Sequence, residues 1–407
     1  MNSAVKPKHA SQAQHSQSDE LPSSPHPKRH TLADRLSAPL IGVALLAFMS
    51  AGLWSSASAL FEGSLTLKDE NLTWASFLDG RLTGEVNEQL GKTSLPEWAA
   101  SAQRRLNWLI LGDLGDRVRI GCPDWLFLSD ELRLYPQREH NAAARAENVI
   151  DIHRVLQKRG IDLLVAVVPD KSRIEGAQRC QLKRSALLNE RVASWVKRLE
   201  AAHVPVVNLE SVLSSLVAQG QDAFLRTDTH WNERGAQAAA QEIAKAVANL
   251  KLAPTPPQES VITQQAAEPR SGDLIRLAGI ERLPMHLQPK PDMVAASRFS
   301  VTQSGANASA GDDLFGDSGL PNTVLLGTSF SRNSNFVAFL EHSLHSKIGD
   351  FSRDGGAFAG AAQAYFASAA FKDTPPRLII WEIPERVLEE AWENNAVTLD
   401  AQELNTQ

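Results

Sequence analysis

The run IDLLVAVVP, residues 161–169, decides how this chain folds. Its apolar residues are continuous and a proline ends the run. A strand wetted on one face alternates polar and apolar residues, whereas a strand covered on both faces does not. The run therefore predicts a central parallel strand. Its surroundings agree. ENVIDIHRVLQKRG (147–160) carries Val149, Ile152 and Leu156 at helical spacing, and Gly160 suits the position just past a helix end. SALLNERVASWVKRLEAAH (185–203) aligns Leu188, Val192, Trp195 and Leu199 on one face, and VPVVNLE (204–210) follows as a strand. NERGAQAAAQEIAKAVANL (232–250) reads as a helix. NTVLLGTSFSRN (322–333) is a strand running into a small-residue turn. LHSKIGDFS (344–352) is a further strand candidate, 357–371 a helix, and PRLIIWEIPE (376–385) a last buried strand. DWLFL (124–128) also reads as a buried strand, with Trp125 and Phe127 in the core. Strands alternating with helices predict an α/β fold, a doubly wound and mostly parallel sheet. Residues 253–311, rich in Pro, Gln, Ser and Ala, read as a loop-rich insertion.

The N-terminal region has another character. Residues 1–35 are polar and predict a disordered tail. Lys28, Arg29 and Arg35 precede APLIGVALLAFMSAGLW (38–54), whose 17 residues reach the short limit for a membrane span. Positive charge on this side predicts a cytoplasmic N-terminus and a bulk domain on the far side of the membrane. ASA (57–59) resembles a signal-peptidase site, but the long polar leader favours an uncleaved anchor. The expected organisation is thus a tail (1–35), an anchor (36–59), a spacer (60–114), the α/β domain (115–395) and a C-terminal tail (396–407).

Lys and Arg number 41 against 47 Asp and Glu, a net charge of −6. Nucleic-acid binding, which needs clustered cations, is therefore not expected. No zinc-type spacing, Walker loop or dinucleotide fingerprint is present, and neither a metal nor a cofactor is expected. Cys122 and Cys180 are the only cysteines. Outside the cytoplasm they could pair, which would stabilise the fold by about 4 kcal/mol in the chain-entropy model. The alternative is two buried thiols, since sequence does not show proximity.

Functional residues of a doubly wound sheet belong at the carboxyl ends of its strands. VLLGTSFS puts Ser329 directly after a strand, and the backbone N–H groups of Ser329 and Phe330 are candidate oxyanion donors. TDTHWNERGA (227–236) offers Asp228 and His230, whose spacing places both side chains on one side of an extended segment. Such a histidine can take the serine proton, and such an aspartate can hold the imidazole in the required tautomer. Trp231 is a candidate for stacking on a sugar ring, with a core anchor as the alternative. Lys171 and Arg173, after the 161–169 run, are candidates for binding an anionic substrate, with a salt-bridged loop as the alternative. Glu382 and Arg386 read as a structural pair.

Seven stretches together resemble the alginate O-acetyltransferase family of the AlgJ/AlgX type. They are DWLFLSDE (124–131), VVPDKSRI (167–174), TDTHWNERGA (227–236), GDL (272–274), LFGD (314–317), LLGTSFSRNSNF (325–336) and WEIPER (381–386), in the family's order. The resemblance implies an SGNH-hydrolase-like fold with permuted motifs, Asp and His before Ser. The usual SGNH glycine and asparagine oxyanion blocks are not recognisable. Ser329 would carry an acetyl group, His230 would act as base and then acid, and Asp228 would orient it. A polysaccharide would accept the acetyl group, and a membrane-bound O-acyltransferase would donate it. The implied location is a bacterial inner membrane, with the catalytic domain in the periplasm. About 20 residues follow WEIPER, so the carbohydrate-binding module of AlgX-type members is not expected and the chain looks more AlgJ-like. The competing functions are a carbohydrate acetylesterase using the same three residues and an inactive scaffold of a polysaccharide-assembly complex.

Overall fold

A computed structural model of the chain describes residues 32–61, 67–68, 72–91, 94–304, 319–392 and 396–399. The LFGD motif (314–317), residues 1–31 of the N-terminal tail and 400–407 of the C-terminal tail lie outside the described residues. The chain divides into two compact units, 1–98 and 99–407. The first holds α1 (Leu32–Phe61), α2 (Trp74–Leu78) and α3 (Arg81–Gly91). Within α1, Ile41–Ser58 is long and apolar enough to cross a membrane, and none of it is buried. Helix α4 (Ser94–Leu111) follows.

The larger unit is built on a five-stranded parallel sheet. In chain order its elements begin with β1 (Val118–Ile120), β2 (Leu126–Leu128), α5 (Arg138–Lys158), β3 (Asp162–Val168) and α6 (Lys171–Ile174). Next come α7 (Arg191–Ala201), β4 (Val206–Asn208), α8 (Glu210–Ala218), α9 (Glu233–Asn249), β5 (Gln258–Arg270), α10 (Asp273–Leu277) and β6 (Asp292–Ser304). The last are β7 (Thr323–Leu326), α11 (Ser329–Arg332), α12 (Phe336–Leu344), β8 (Gly349–Asp350), α13 (Gly360–Phe366), α14 (Ala369–Asp373) and β9 (Leu378–Pro384). The sheet order is β4-β3-β9-β7-β8, and every pairing in it is parallel.

The apolar runs behave as their continuity requires. In β3, Leu163, Val165 and Val167 join the core against α5, α7 and α13, while Leu164, Ala166 and Val168 join the core against α8, α9 and α12. Successive side chains point to opposite faces, so a strand covered on both sides must be apolar throughout. Gly160, at φ +68°, stands just past α5 as its sequence position suggested.

DWLFL is buried, as expected, and its strand β2 pairs with β1 in a separate antiparallel hairpin, where its leucines pack with Leu274 and Ile275 of α10 in a third small core. One expectation needs correction. Of the expected 253–311 insertion, residues 253–304 are not chiefly loop. Strands β5 and β6 form a 13-residue antiparallel ribbon, with α10 in the connection between them. Much of β5 is exposed, so its polar composition reflects solvation and not irregular structure.

Cys122 and Cys180 are joined, with Cα atoms 5.1 Å apart across 58 residues of sequence. The bond ties the β1–β2 hairpin to the turn after α6. Replacing both cysteines by serine should cost about 4 kcal/mol and lower the melting temperature by roughly 10 °C. Differential scanning fluorimetry under non-reducing conditions measures this, and an unchanged melting temperature would contradict it.

Candidate active site

Strands β3, β7 and β9 end at one edge of the sheet, and the candidate residues collect there. Ser329 is the first residue of α11, three residues after β7 ends. The turn leaves no room for a side chain at Gly327, where a Cβ would overlap Ser331 and approach Ser352. Thr328 caps α11, and its backbone N–H and hydroxyl both donate to the buried Glu382 carboxylate of β9 at 2.6 and 2.9 Å. Ser331 Oγ donates to the same carboxylate at 3.0 Å. Burial pushes the Glu382 carboxyl above its usual range, against the lowering effect of these donors and of the Arg386 charge. Glu382 and Arg386 thus form no simple pair: Glu382 fixes the serine turn, and Arg386 lies over the Phe330 ring, 5.0 Å from its centroid.

The TDTHW segment lies across from this turn. His230 Nδ1 is 2.6 Å from Asp228 Oδ1, and His230 Nε2 is 2.8 Å from Ser329 Oγ. Asp228 Oδ1 also accepts the His230 backbone N–H at 3.0 Å. Asp228 and His230 are almost entirely buried, whereas Ser329 is partly open. Burial alone would push the Asp228 carboxyl up. The hydrogen bond and charge of His230, with the Arg270 guanidinium 3.6 Å away, outweigh it and hold the group well below the usual carboxylate range. Asp228 is therefore ionised, an acceptor for Nδ1–H that leaves Nε2 facing the serine hydroxyl. The arrangement can move the serine proton onto the imidazole and leave a nucleophilic oxygen.

Neighbouring residues lock this geometry. Trp231 Nε1 donates to the Phe330 carbonyl at 3.1 Å, so the residue after the histidine holds the residue after the serine. Phe330 packs edge-on against His230 and Trp231 at 5.0 and 5.1 Å. Trp231 is completely buried, a core anchor with no face for a sugar. Lys171 is also buried, and its ammonium donates to the carbonyls of Leu126, Arg226 and Asp228 at 2.6, 2.9 and 3.0 Å. Arg173 is held by Glu385 at 2.7 Å and by the Leu188 and Asn189 carbonyls. Neither cation faces the cleft. A position after a strand specifies a neighbourhood but not the direction of the side chain. The Phe330 N–H, expected as an oxyanion donor, is taken by Thr328 Oγ1 at 3.3 Å. Among the described residues no acceptor holds the Ser329 N–H.

The inserted ribbon supplies what sequence reading missed. Asp292, at the start of β6, accepts the Arg226 and Thr227 N–H groups and the Thr227 hydroxyl. Asp273 holds Thr229 by its backbone N–H and hydroxyl at 2.8 and 2.6 Å. Gly272 presses on the Thr227 carbonyl so closely that a Cβ would overlap it. The GDL motif was the one signal that marked this place. Asp228, His230 and Asp273 could converge on a cation, but their converging atoms already hold hydrogen bonds, so the cluster reads as a proton-handling network. Above it opens a cleft of about 660 Å³, lined by Ser329, His230 and Asn333 and by charges of both signs, among them Arg117, Arg276 and Asp354.

Comparisons with known proteins show the family and the fold. The family profile described as SGNH hydrolase-like domain, acetyltransferase AlgX, matches residues 118–385. The chain is 31% identical to the "probable alginate O-acetylase AlgJ" of Pseudomonas syringae pv. tomato, over 72% of this chain and 73% of that one. It is 30% identical to the protein of the same description from Pseudomonas fluorescens, over 86% of each chain. The solved O-acetyltransferase domain of Pseudomonas putida AlgJ superposes with a TM-score of 0.57 at 28% identity, covering 68% of this chain and 94% of that domain.

Lys171 yields a stability prediction. Burial lowers its value from 10.5 to about 8, despite the nearby Glu131, Asp292 and Asp228 carboxylates. Between these two pH values the unfolded chain binds the proton more readily than the folded one, so the lysine's contribution to stability rises with pH. Lys171→Met should cost about 3 kcal/mol near neutral pH, because three buried carbonyls lose their donor. Urea unfolding at pH 7.5 and 9.5 measures both effects. The variant should lack the part of the pH slope that the wild type owes to this group, and equal slopes would contradict the assignment.

Proposed function

The chain belongs to the SGNH hydrolase-like acetyltransferase AlgX family, and on that footing we propose that it O-acetylates an alginate-like exopolysaccharide through an acetyl-Ser329 intermediate. The observation that carries the proposal is the hydrogen-bonded line from Asp228 through His230 to Ser329 beneath an open cleft. In the first half-reaction His230 Nε2 takes the Ser329 proton while Oγ attacks the acetyl carbonyl of the donor. The tetrahedral adduct collapses, the donor's leaving group departs with that proton, and the acetyl group remains on Ser329. In the second, a sugar hydroxyl gives its proton to His230 Nε2 and attacks the acetyl-serine. Ser329 Oγ leaves and recovers the proton, so charge and protons balance over the cycle. Asp228 stabilises the imidazolium in both halves without being protonated itself. The Ser329 N–H is the available backbone donor for the oxyanion.

The names of the relatives, described as probable alginate O-acetylases, support this acceptor. The apolar helix at Ile41–Ser58 supports a single-pass anchor in the bacterial inner membrane. Cationic residues on its N-terminal side favour a periplasmic catalytic unit, where the Cys122–Cys180 bond is chemically at home. No acetyl-CoA pool exists there, so the donor is a membrane-bound O-acyltransferase that passes the acetyl group across. An acetylesterase would use the same three residues with water as acceptor, and the acceptor's identity separates the two.

The purified full-length protein in detergent, given 4-nitrophenyl acetate and a panel of oligosaccharides including oligouronates, should form O-acetylated sugar detectable by mass spectrometry. Ser329→Ala should reduce transfer by a factor of at least about 10³. Acetate release without sugar acetylation would favour the esterase, and no turnover of any kind would overturn the enzymatic reading.

A further inference from the structure

His230 has a second carboxylate within reach. Asp273 Oδ2 lies 3.8 Å from His230 Nδ1, with the Thr229 hydroxyl between them. Thr229 Oγ1 is 2.6 Å from Asp273 Oδ2 and 3.2 Å from His230 Nδ1. A hydroxyl has one proton and an ionised carboxylate has none, so Thr229 donates to Asp273. A lone pair of the same oxygen is then left to face Nδ1–H. The imidazole N–H thus has a direct acceptor in Asp228 at 2.6 Å and a weaker one, backed by a second negative charge, in Thr229.

The placement of Asp273 is enforced from several sides. Its Oδ1 accepts the Thr229 backbone N–H at 2.8 Å, and its own backbone N–H donates to Asp228 Oδ2 at 3.1 Å. One residue therefore grips both Asp228 and Thr229. The close approach of Gly272 to the Thr227–Asp228 peptide leaves no slack in this grip. Resting on the reading of Ser329 as nucleophile, we propose that Asp273, acting through the Thr229 hydroxyl, is a positioning residue and second carboxylate arm for His230 in acyl transfer.

A second arm has a physical task. When Ser329 attacks, the imidazole becomes positive, and fixed negative charge near Nδ1 stabilises that state more than the neutral one. Asp228 supplies part of this charge, but Arg270 lies 3.6 Å from its Oδ2 and offsets it. Asp273 replaces what Arg270 removes. The other charges around the imidazole are Lys171, bound to the Asp228 carbonyl, and Arg386, across the Phe330 ring. Arg117, Arg276, Asp130, Glu281 and Asp354 line the cleft beyond.

The test uses the full-length protein in detergent and two readouts across pH 5–9. One is kcat/KM for 4-nitrophenyl acetate. The other is the rate of covalent modification by a sulfonyl fluoride, read by intact mass and absent in Ser329→Ala. Asp273→Asn keeps the shape and removes the charge. It should lower both rates about tenfold on the plateau and move their acid limbs to lower pH by about one pH unit, because the imidazole is harder to protonate without the second anion. Thr229→Val should behave likewise, while Thr229→Ser, which keeps the hydroxyl, should hold the wild-type limb position. If Asp273→Asn fails to fold, judged by its melting curve, Thr229→Val and Thr229→Ser decide. Unmoved limbs in the folded Asp273→Asn and Thr229→Val variants would overturn the second arm and leave the acetyltransferase reading standing. Modification of Ser329 without ester turnover, with limbs that still move in the variants, would overturn the transferase reading and support the arm. A wild-type serine inert to both reagents would overturn both.

Discussion

A buried ammonium group holds the site in place. Lys171 has left water, and its three protons are spent on the carbonyls of Leu126, Arg226 and Asp228. Those carbonyls belong to the β1–β2 hairpin and to the segment that presents Asp228, while the lysine itself follows β3. Trp125 and Phe127 flank the ammonium with their ring faces at 5.2 and 5.1 Å. Desolvating a cation is costly, and three charge-assisted hydrogen bonds and two aromatic faces are what offset that cost. The backbone that presents Asp228 is thereby tied to the end of β3, a strand buried on both faces. Trp231 then ties the histidine to the serine turn, and Glu382 ties that turn to β9. Catalytic polar groups are effective when their partners have already been oriented during folding. Here nearly every donor around Asp228 and His230 is committed, and freedom remains only at Ser329 and above it.

The carboxyl edge of the sheet carries a second charge lattice that is not part of the cleft. Glu385 accepts both Arg173 and Arg184 at 2.7 and 2.8 Å, and Arg191 reaches Asp170 and Glu389 at 3.2 and 3.0 Å. These pairs join the ends of β3 and β9 to the start of α7. Arg173, for which the sequence left a substrate contact and a salt-bridged loop both open, belongs to this lattice.

What could be read from the sequence follows from what each residue had to satisfy. Strands β3, β7 and β9 were legible because burial on both faces demands unbroken apolar runs. Asp228, His230 and Ser329 were legible because their chemistry is rare and the ends of strands are where it can converge. The Cys122–Cys180 bond was legible only as one of two alternatives, since pairing depends on distance. The ribbon was not legible: its outer residues answer to solvent, so β5 lacks the apolar alternation that marks a half-buried strand. Arg270 and Asp292 were lost with it, and Asp273 was marked only as part of GDL, without a role. Trp231 and Lys171 were found, each with a ligand-facing and a structural reading left open, because composition does not tell whether a polar tip meets a ligand or the chain's own backbone.

The sheet order β4-β3-β9-β7-β8 also governs when the molecule can come into being. Strand β9 is made last, yet it occupies the middle, with β3 on one side and β7 on the other. Until it arrives, β4–β3 and β7–β8 are two fragments sharing no ladder, each with an open apolar edge. Their union waits on contacts spanning more than two hundred residues, a slow kind of closure that leaves strand edges exposed meanwhile. The same strand carries Glu382, which sets the serine turn. A growing chain therefore holds its histidine and its serine long before it has a working pair, and the reactive oxygen matures only with the final strand.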